Sequence, residues 1–205
     1  MKMMLPFSLP RFSAAFCLCI LAVLVLSCKK KVPAPEQEPV VGAKHVDLSG
    51  QFLERDRDLI LDLNADGRAD LLMKVLPIAF DLNTKTKLTF QVYATGVSRV
   101  AVNVTDESSP ALRKGDQVFF GSFSGYEWFP ANPVIIMEKV SSAEAITWQG
   151  AFLSEEHRFL PLQLLQEGKL YTAWLELSTD KPGEKVHLHR AGIALEPGST
   201  IICGQ

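Results

Sequence analysis

KLTFQVYATG, residues 87–96, decides the fold. Leu88, Phe90, Val92 and Ala94 fall on one side of an extended chain, and Thr89, Gln91 and Tyr93 on the other. Successive side chains of a strand point to opposite faces, so this is the period of a half-buried strand. RVAVNVT, residues 99–105, repeats the pattern with Val100, Val102 and Val104. Working outward, DQVFFGS, VIIMEKV, AITWQGAFL, HRFLPLQLL, LYTAWLELS and KVHLHRAGIAL are further strand candidates. The turn clusters NADG, DESSP, SGYEWFPANP and TDKPGEK separate them. Many short strands divided by turns predict an all-β chain, an antiparallel sandwich or barrel of jelly-roll-like character, as one domain over 46–205. Only short helices, near 141–146 or 154–157, are expected beside it.

The chain opens differently. Lys2 and Arg11 precede an apolar run, FSAAFCLCILAVLVLS, over 12–27. That run is short for a membrane span, which takes about 20 residues. It ends in VLSC, residues 25–28, which resembles the bacterial lipobox. The resemblance implies a signal peptide over 1–27 and a mature chain that starts at Cys28 with lipid on its thiol and amine. Several acyl chains, each buried methylene contributing about 0.8 kcal/mol, hold such a protein on a membrane durably. Lys29 follows Cys28, where the inner-membrane retention signal of enteric bacteria has Asp, so the outer membrane is the expected address. Periplasmic and surface-facing orientations both remain open. Residues 28–45 carry Pro33, Pro35 and Pro39 and little to bury, as an extended tether would.

Four cysteines occur in the chain. Cys17 and Cys19 lie in the signal, Cys28 is the lipid acceptor, and Cys203 alone remains as a thiol, so the mature chain is expected to have no internal disulfide. In TIICG, Cys203 reads as a small buried hydrophobe. Without Lys2 and Arg11, 19 basic residues face 23 acidic ones. That balance argues against nucleic acid as a partner.

One segment carries recognisable chemistry: Asp62-Leu-Asn64-Ala-Asp66-Gly67-Arg68-Ala-Asp70. Calcium takes six to eight oxygens at roughly 2.3–2.6 Å. Alternate positions of a tight loop point inward, so Asp62, Asn64 and Asp66 can offer side-chain oxygens and Arg68 its backbone carbonyl, with Asp70 closing the shell. Gly67 permits the left-handed turn such a loop needs. Position twelve is Met73, where an EF-hand has Glu, and the flanks LILDL and ADLLMKV read as strands. The spacing D-x-N-x-D-G-x-x-D resembles the calcium loops of integrin-type FG-GAP and related bacterial extracellular repeats. A metal-free hairpin turn is the plainer alternative.

With Leu112-Arg113-Lys114-Gly115-Asp116 and the late segment Thr172–Leu177, the order of segments resembles uncharacterised secreted or lipid-anchored proteins of the Bacteroidetes kind. Those carry an early D-x-N-x-D-G hairpin, a central L-x-x-G-D and a late Y-G-W-I strand. Thr172-Ala173 here stands where that pattern has Tyr-Gly. The resemblance implies an all-β extracellular domain and no particular activity.

Other candidates read as structure first. GSFSG at 121–125 has Phe123 where a nucleophile elbow has Ser. His187 and His189 share one strand face opposite Val186 and Leu188, and no third metal ligand is apparent. Glu155 and Glu156 are adjacent, so they do not form a facing acid–base pair in an extended segment. Trp148 and Trp174 read as core. Tyr126, Trp128 and Phe129, in a segment with two prolines, are the candidate ligand-binding loop. These observations point to a lipid-anchored envelope protein with a calcium-stabilised β domain that binds an envelope protein or glycan. The alternative is a lipid-anchored hydrolase acting on glycans.

Overall fold

A computed structural model describes residues 39–205 except 83, 123–124, 131–132 and 155. The signal segment, Cys28 and nearly all of the tether lie outside the described residues. Among the described residues there is no helix; the short one expected near 141–146 does not form, and the one near 154–157 falls partly on residue 155, outside the described residues. The first of these places holds a turn instead, closed by Ser142 N–H on the Ala145 carbonyl at 2.9 Å.

Among the described residues fourteen strands follow in chain order: β1 (Ala43–Asp47), β2 (Phe52–Leu53), β3 (Leu59–Leu61), β4 (Leu71–Phe80), β5 (Lys85–Ala94), β6 (Arg99–Asn103) and β7 (Gln117–Val118). Then come β8 (Tyr126–Pro130), β9 (Pro133–Ser141), β10 (Ile146–Gln149), β11 (Arg158–Gln166), β12 (Lys169–Asp180), β13 (Lys185–Ala194) and β14 (Ile201–Ile202). Pairing starts earlier than the expected boundary at 46. Val40 bridges Thr200, and β1 pairs with β13 from Ala43.

The strands form a sandwich. One sheet runs β10-β9-β5-β4-β3, and the larger runs β1-β13-β12-β11-β6-β8 with β2 added on β13. The named strand pairs are antiparallel throughout. Met73, Phe90, Val92 and Ile136 from the smaller sheet meet Leu160, Leu162, Leu175 and Leu188 from the larger in one buried cluster. Full burial of each such side chain contributes about 1.5–3 kcal/mol, which makes this layer the main source of stability.

Strand alternation accounts for most of this arrangement, and two bulges break it. Phe90 pairs with Met137 and Gln91 with Ile135, so Ile136 is inserted, and both Ile136 and Met137 are buried. Glu176 pairs with Arg190 and Leu177 with Leu188, so His189 is inserted. Leu188 and Ala191 both face the core, which leaves His189 and Arg190 side by side on the outer face. The His189 carbonyl accepts the N–H of Leu48 at 3.0 Å, in the connection between β1 and β2.

Alternation fails in two other places. Val104 lies past the end of β6 and is exposed. Thr89 and Gln91 are buried on the outer side of β5. Thr89 donates to Glu138 at 3.3 Å, and Gln149 and Lys87 reach the same carboxylate at 2.6 and 3.2 Å. Long polar side chains therefore close that face.

The outer face of the larger sheet is partly covered as well. The ribbon of β7 and β14 packs there over Phe159, Trp174 and Ala194, with Cys203 buried beside them. Trp174 is fully buried and donates its indole N–H to the Ile202 carbonyl at 3.1 Å.

Candidate functional site

The 62–70 loop joins β3 to β4 as a hairpin, with Leu61 opposite Leu71 and Leu59 opposite Met73. Its polar side chains are turned onto its own backbone. Asp62 accepts the N–H groups of Asp66 and Gly67 at 3.2 and 2.8 Å. Asn64 accepts the Asp66 N–H at 3.0 Å and donates its amide to the Leu165 carbonyl at 2.8 Å, tying the loop to β11. Asp66 accepts the Arg68 N–H at 2.9 Å. Ala65 and Gly67 both adopt positive φ, at 62° and 84°, and these left-handed residues fold the loop back on itself. Arg68 is exposed, as its expected outward side chain requires.

Asp70 differs from its neighbours because it is buried, 4% exposed. Its Oδ2 accepts the Leu63 N–H at 2.9 Å and its Oδ1 the Ser98 hydroxyl at 3.1 Å. Burial pushes its carboxyl above the ordinary value and the charge of Asp62 adds to the rise, while the Leu63 and Ser98 hydrogen bonds oppose it. The donors at 62, 64, 66 and 70 are all oxygens, the set a hard cation takes, and a carboxylate that accepts one hydrogen bond per oxygen keeps further lone pairs. Among the described residues no three His, Cys, Asp or Glu side chains gather as a ready metal shell. The loop thus matches calcium in the kind and order of its donors, and as it stands it is a network of side-chain-to-backbone bonds.

The aromatic segment is an edge strand, not a loop. β8 pairs along β6, and alternation sends its rings to different layers. Phe129 packs on the main core, while Trp128 joins the outer cluster and donates to the Gly121 carbonyl at 3.1 Å. Tyr126 is half-buried at the start of the strand. Trp128 and Phe129 are therefore structural first. Trp148 lies half-buried on the main core, 6.5 Å from the Phe90 ring, and Trp174 anchors the outer cluster. Phe123 and Glu155 lie outside the described residues.

A polar cluster that the sequence reading missed lies on the uncovered end of the larger sheet's outer face. Glu176 is buried, 8% exposed, and its two oxygens meet His157 Nδ1 at 2.7 Å and Arg190 Nε at 2.6 Å. Burial works against its charge, but these hydrogen bonds and the charges of Arg190 and His157 win and hold the carboxyl below its ordinary value. The His157 and His189 rings stack at 3.9 Å, 12° from parallel. His189 Nε2 stands 2.8 Å from the Ser178 hydroxyl. Burial, then the neighbouring His157, lower the pKa of His189, so it is neutral at pH 7. His187 sits apart, 3.9 Å from Asp180 and against Phe52. His187 and His189 share the outer face, as their spacing predicts, but not a common set of partners.

A hydroxyl on a neutral imidazole is the first contact of a nucleophilic pair. Glu176, however, spends its oxygens on His157 and Arg190 and does not orient His189. Cys203 is fully buried, and burial pushes its thiol up to about 12, with Asp116 adding to the effect. Comparison with protein-family models, curated proteins and solved structures finds no match to this chain.

Proposed function

We propose that this chain is a lipid-anchored protein of the bacterial cell envelope, held in the outer membrane. Its β domain is steadied by calcium at the 62–70 loop and acts as a non-catalytic module for binding or surface assembly. The observation that carries this reading is Asp70. A carboxylate is held in the interior, within reach of the charge of Asp62, at the root of a loop whose other side-chain oxygens accept the loop's own backbone N–H groups. Burying a charge without a counter-ion is costly. A cation held by Asp62, Asn64, Asp66, the Arg68 carbonyl and Asp70 would offset that cost and cross-link β3 to β4. The anchor rests on VLSC at 25–28, with Cys28 as the lipid acceptor.

A lipid-anchored hydrolase acting on glycans is the second reading, favoured by the contact between Ser178 and His189. It stands behind the first because that imidazole lacks an orienting carboxylate. The test has two parts. Radiolabelled palmitate should enter the wild type and not Cys28→Ala; a wild type that stays unlabelled sinks the anchor. The full chain, screened against glycans and envelope proteins with and without calcium, should bind without turnover. Turnover of a glycan that is lost in Ser178→Ala would install the hydrolase instead.

A further inference from the structure

We propose that the cleft beside Glu176 and Arg190 binds a ligand carrying two or more oxyanion groups, such as an oligophosphate or an acidic sugar chain. This gives the binding module a ligand class and so rests on that reading. It depends on neither calcium nor the anchor.

The cleft has a volume of about 650 Å³. Its floor is the facing pair of Glu176 on β12 and Arg190 on β13. Its walls are His157, Arg158 and the turn bearing Arg113 and Lys114. That turn is fixed where Leu112 pairs with Phe159, and the stem of Lys114 lies over Gly204. Among the described lining residues four permanent cations therefore face two carboxylates, Glu156 and Glu176, in a chain whose overall charge is −2.

The carboxylates do not cancel the cations. Glu176 is spent in the floor of the cleft on His157 and on Arg190 Nε, and Arg190 Nη2 also donates to the Gly204 carbonyl at 3.5 Å, which leaves Nη1 of the guanidinium for a ligand. Glu156 pairs with Arg158 from a position 78% exposed, where water screens the pair. Asp116, on the same turn, spends an oxygen on the backbone N–H of Arg113 at 2.7 Å. Arg113 and Lys114 are exposed and make no ion pair among the described residues. Guanidinium forks match carboxylate and phosphate oxygens two at a time, and lysine adds a point charge. Phe159, the phenyl ring in the lining, is buried and is not open to stacking on a neutral sugar.

The test is calorimetry of the full chain in nonionic detergent and calcium-free, low-salt buffer, with pyrophosphate, trigalacturonate and neutral maltotriose. Pyrophosphate, trigalacturonate or both should bind, and whichever binds identifies the source of the oxyanions. The double substitution Arg113→Gln, Lys114→Gln should weaken that binding about tenfold or more. Its melting temperature should match the wild type, since both residues are exposed. Glu156→Gln, which frees Arg158, should tighten binding. Three results overturn the proposal: neither anion binding, maltotriose binding equally well, or binding indifferent to the double substitution. If neither anion binds while the glycan and protein screen still finds a ligand, the module reading survives and this one does not.

Discussion

Trp174 fills the space that a side chain at Gly192 would need. The two are cross-strand partners, and a Cβ on Gly192 would stand 2.4 Å from Cε2 and Cζ2 of the indole. Phe159 meets the same ring edge-on at 5.2 Å, and the Arg190 guanidinium lies 5.4 Å from its centroid.

Gly192→Ala should therefore destabilise the protein through steric overlap rather than lost contacts. Overpacking of this kind costs about 1–3 kcal/mol, readable as a lower denaturation midpoint at unchanged slope. A variant as stable as the wild type would show that the indole can move aside, and that the outer cluster is looser than described.

The loop prediction turns on sign. Asp70 has a raised carboxyl pKa, so its ionised form costs the metal-free fold stability at neutral pH. That cost fades as pH falls through the raised value and is gone below the ordinary one. In chelator, Asp70→Asn should be at least as stable as the wild type, because its amide can still accept from Leu63 and donate to Ser98. With calcium the order should reverse, since only the wild type gains binding energy. Asp66→Ala should lose the calcium gain too. Melting curves that ignore calcium in every variant would leave 62–70 an ordinary turn.

His189 gives an acid limit of its own. Its folded pKa is depressed, by burial first and then by His157, with His187 assisting and Glu176 opposing. Its contribution is whole above the unfolded value of about 6.5 and is lost as pH falls from there through the folded value. His189→Gln should flatten the fall in melting temperature just below pH 6.5. An unchanged slope would place that fall on other groups.

Cys203 should be inert. A buried thiol with its pKa at about 12 supplies almost no thiolate at pH 8. Ellman's reagent should modify it at the rate of global unfolding and fast only in denaturant. Rapid labelling of the native chain at Cys203 would mean that the β7–β14 ribbon opens.

Much of this architecture is legible in the sequence. Leu88, Phe90, Val92 and Ala94 do line the core, and LILDL and ADLLMKV do pair across the acidic turn. What stayed hidden has physical causes. Bulges at Ile136 and His189 insert a residue without any local sign, so period-two reading loses the face of everything beyond them. Pro130 and Pro133 give SGYEWFPANP, residues 124–133, the composition of a loop. Yet Pro130 ends an edge strand and Pro133 begins a strand, positions where the missing N–H is tolerated. The loop residues were found because their chemistry is contiguous. His157, Glu176 and Arg190 were not, because 19 and 14 positions separate the partners and only the sheet register brings them together.

The pairing of β1 with β13 sets an order of events. Ala43 meets Ala194 and Asp47 meets Arg190, while the five-stranded sheet draws on residues 59–149 alone. Contacts distant in sequence form late because the intervening chain must first be closed into a loop. The smaller sheet is therefore expected to assemble first during synthesis. The first strand then waits, unpaired, until nearly the whole chain has emerged. In that interval the inner face of the smaller sheet is bare, and the protein is most exposed to aggregation and most in need of an escort.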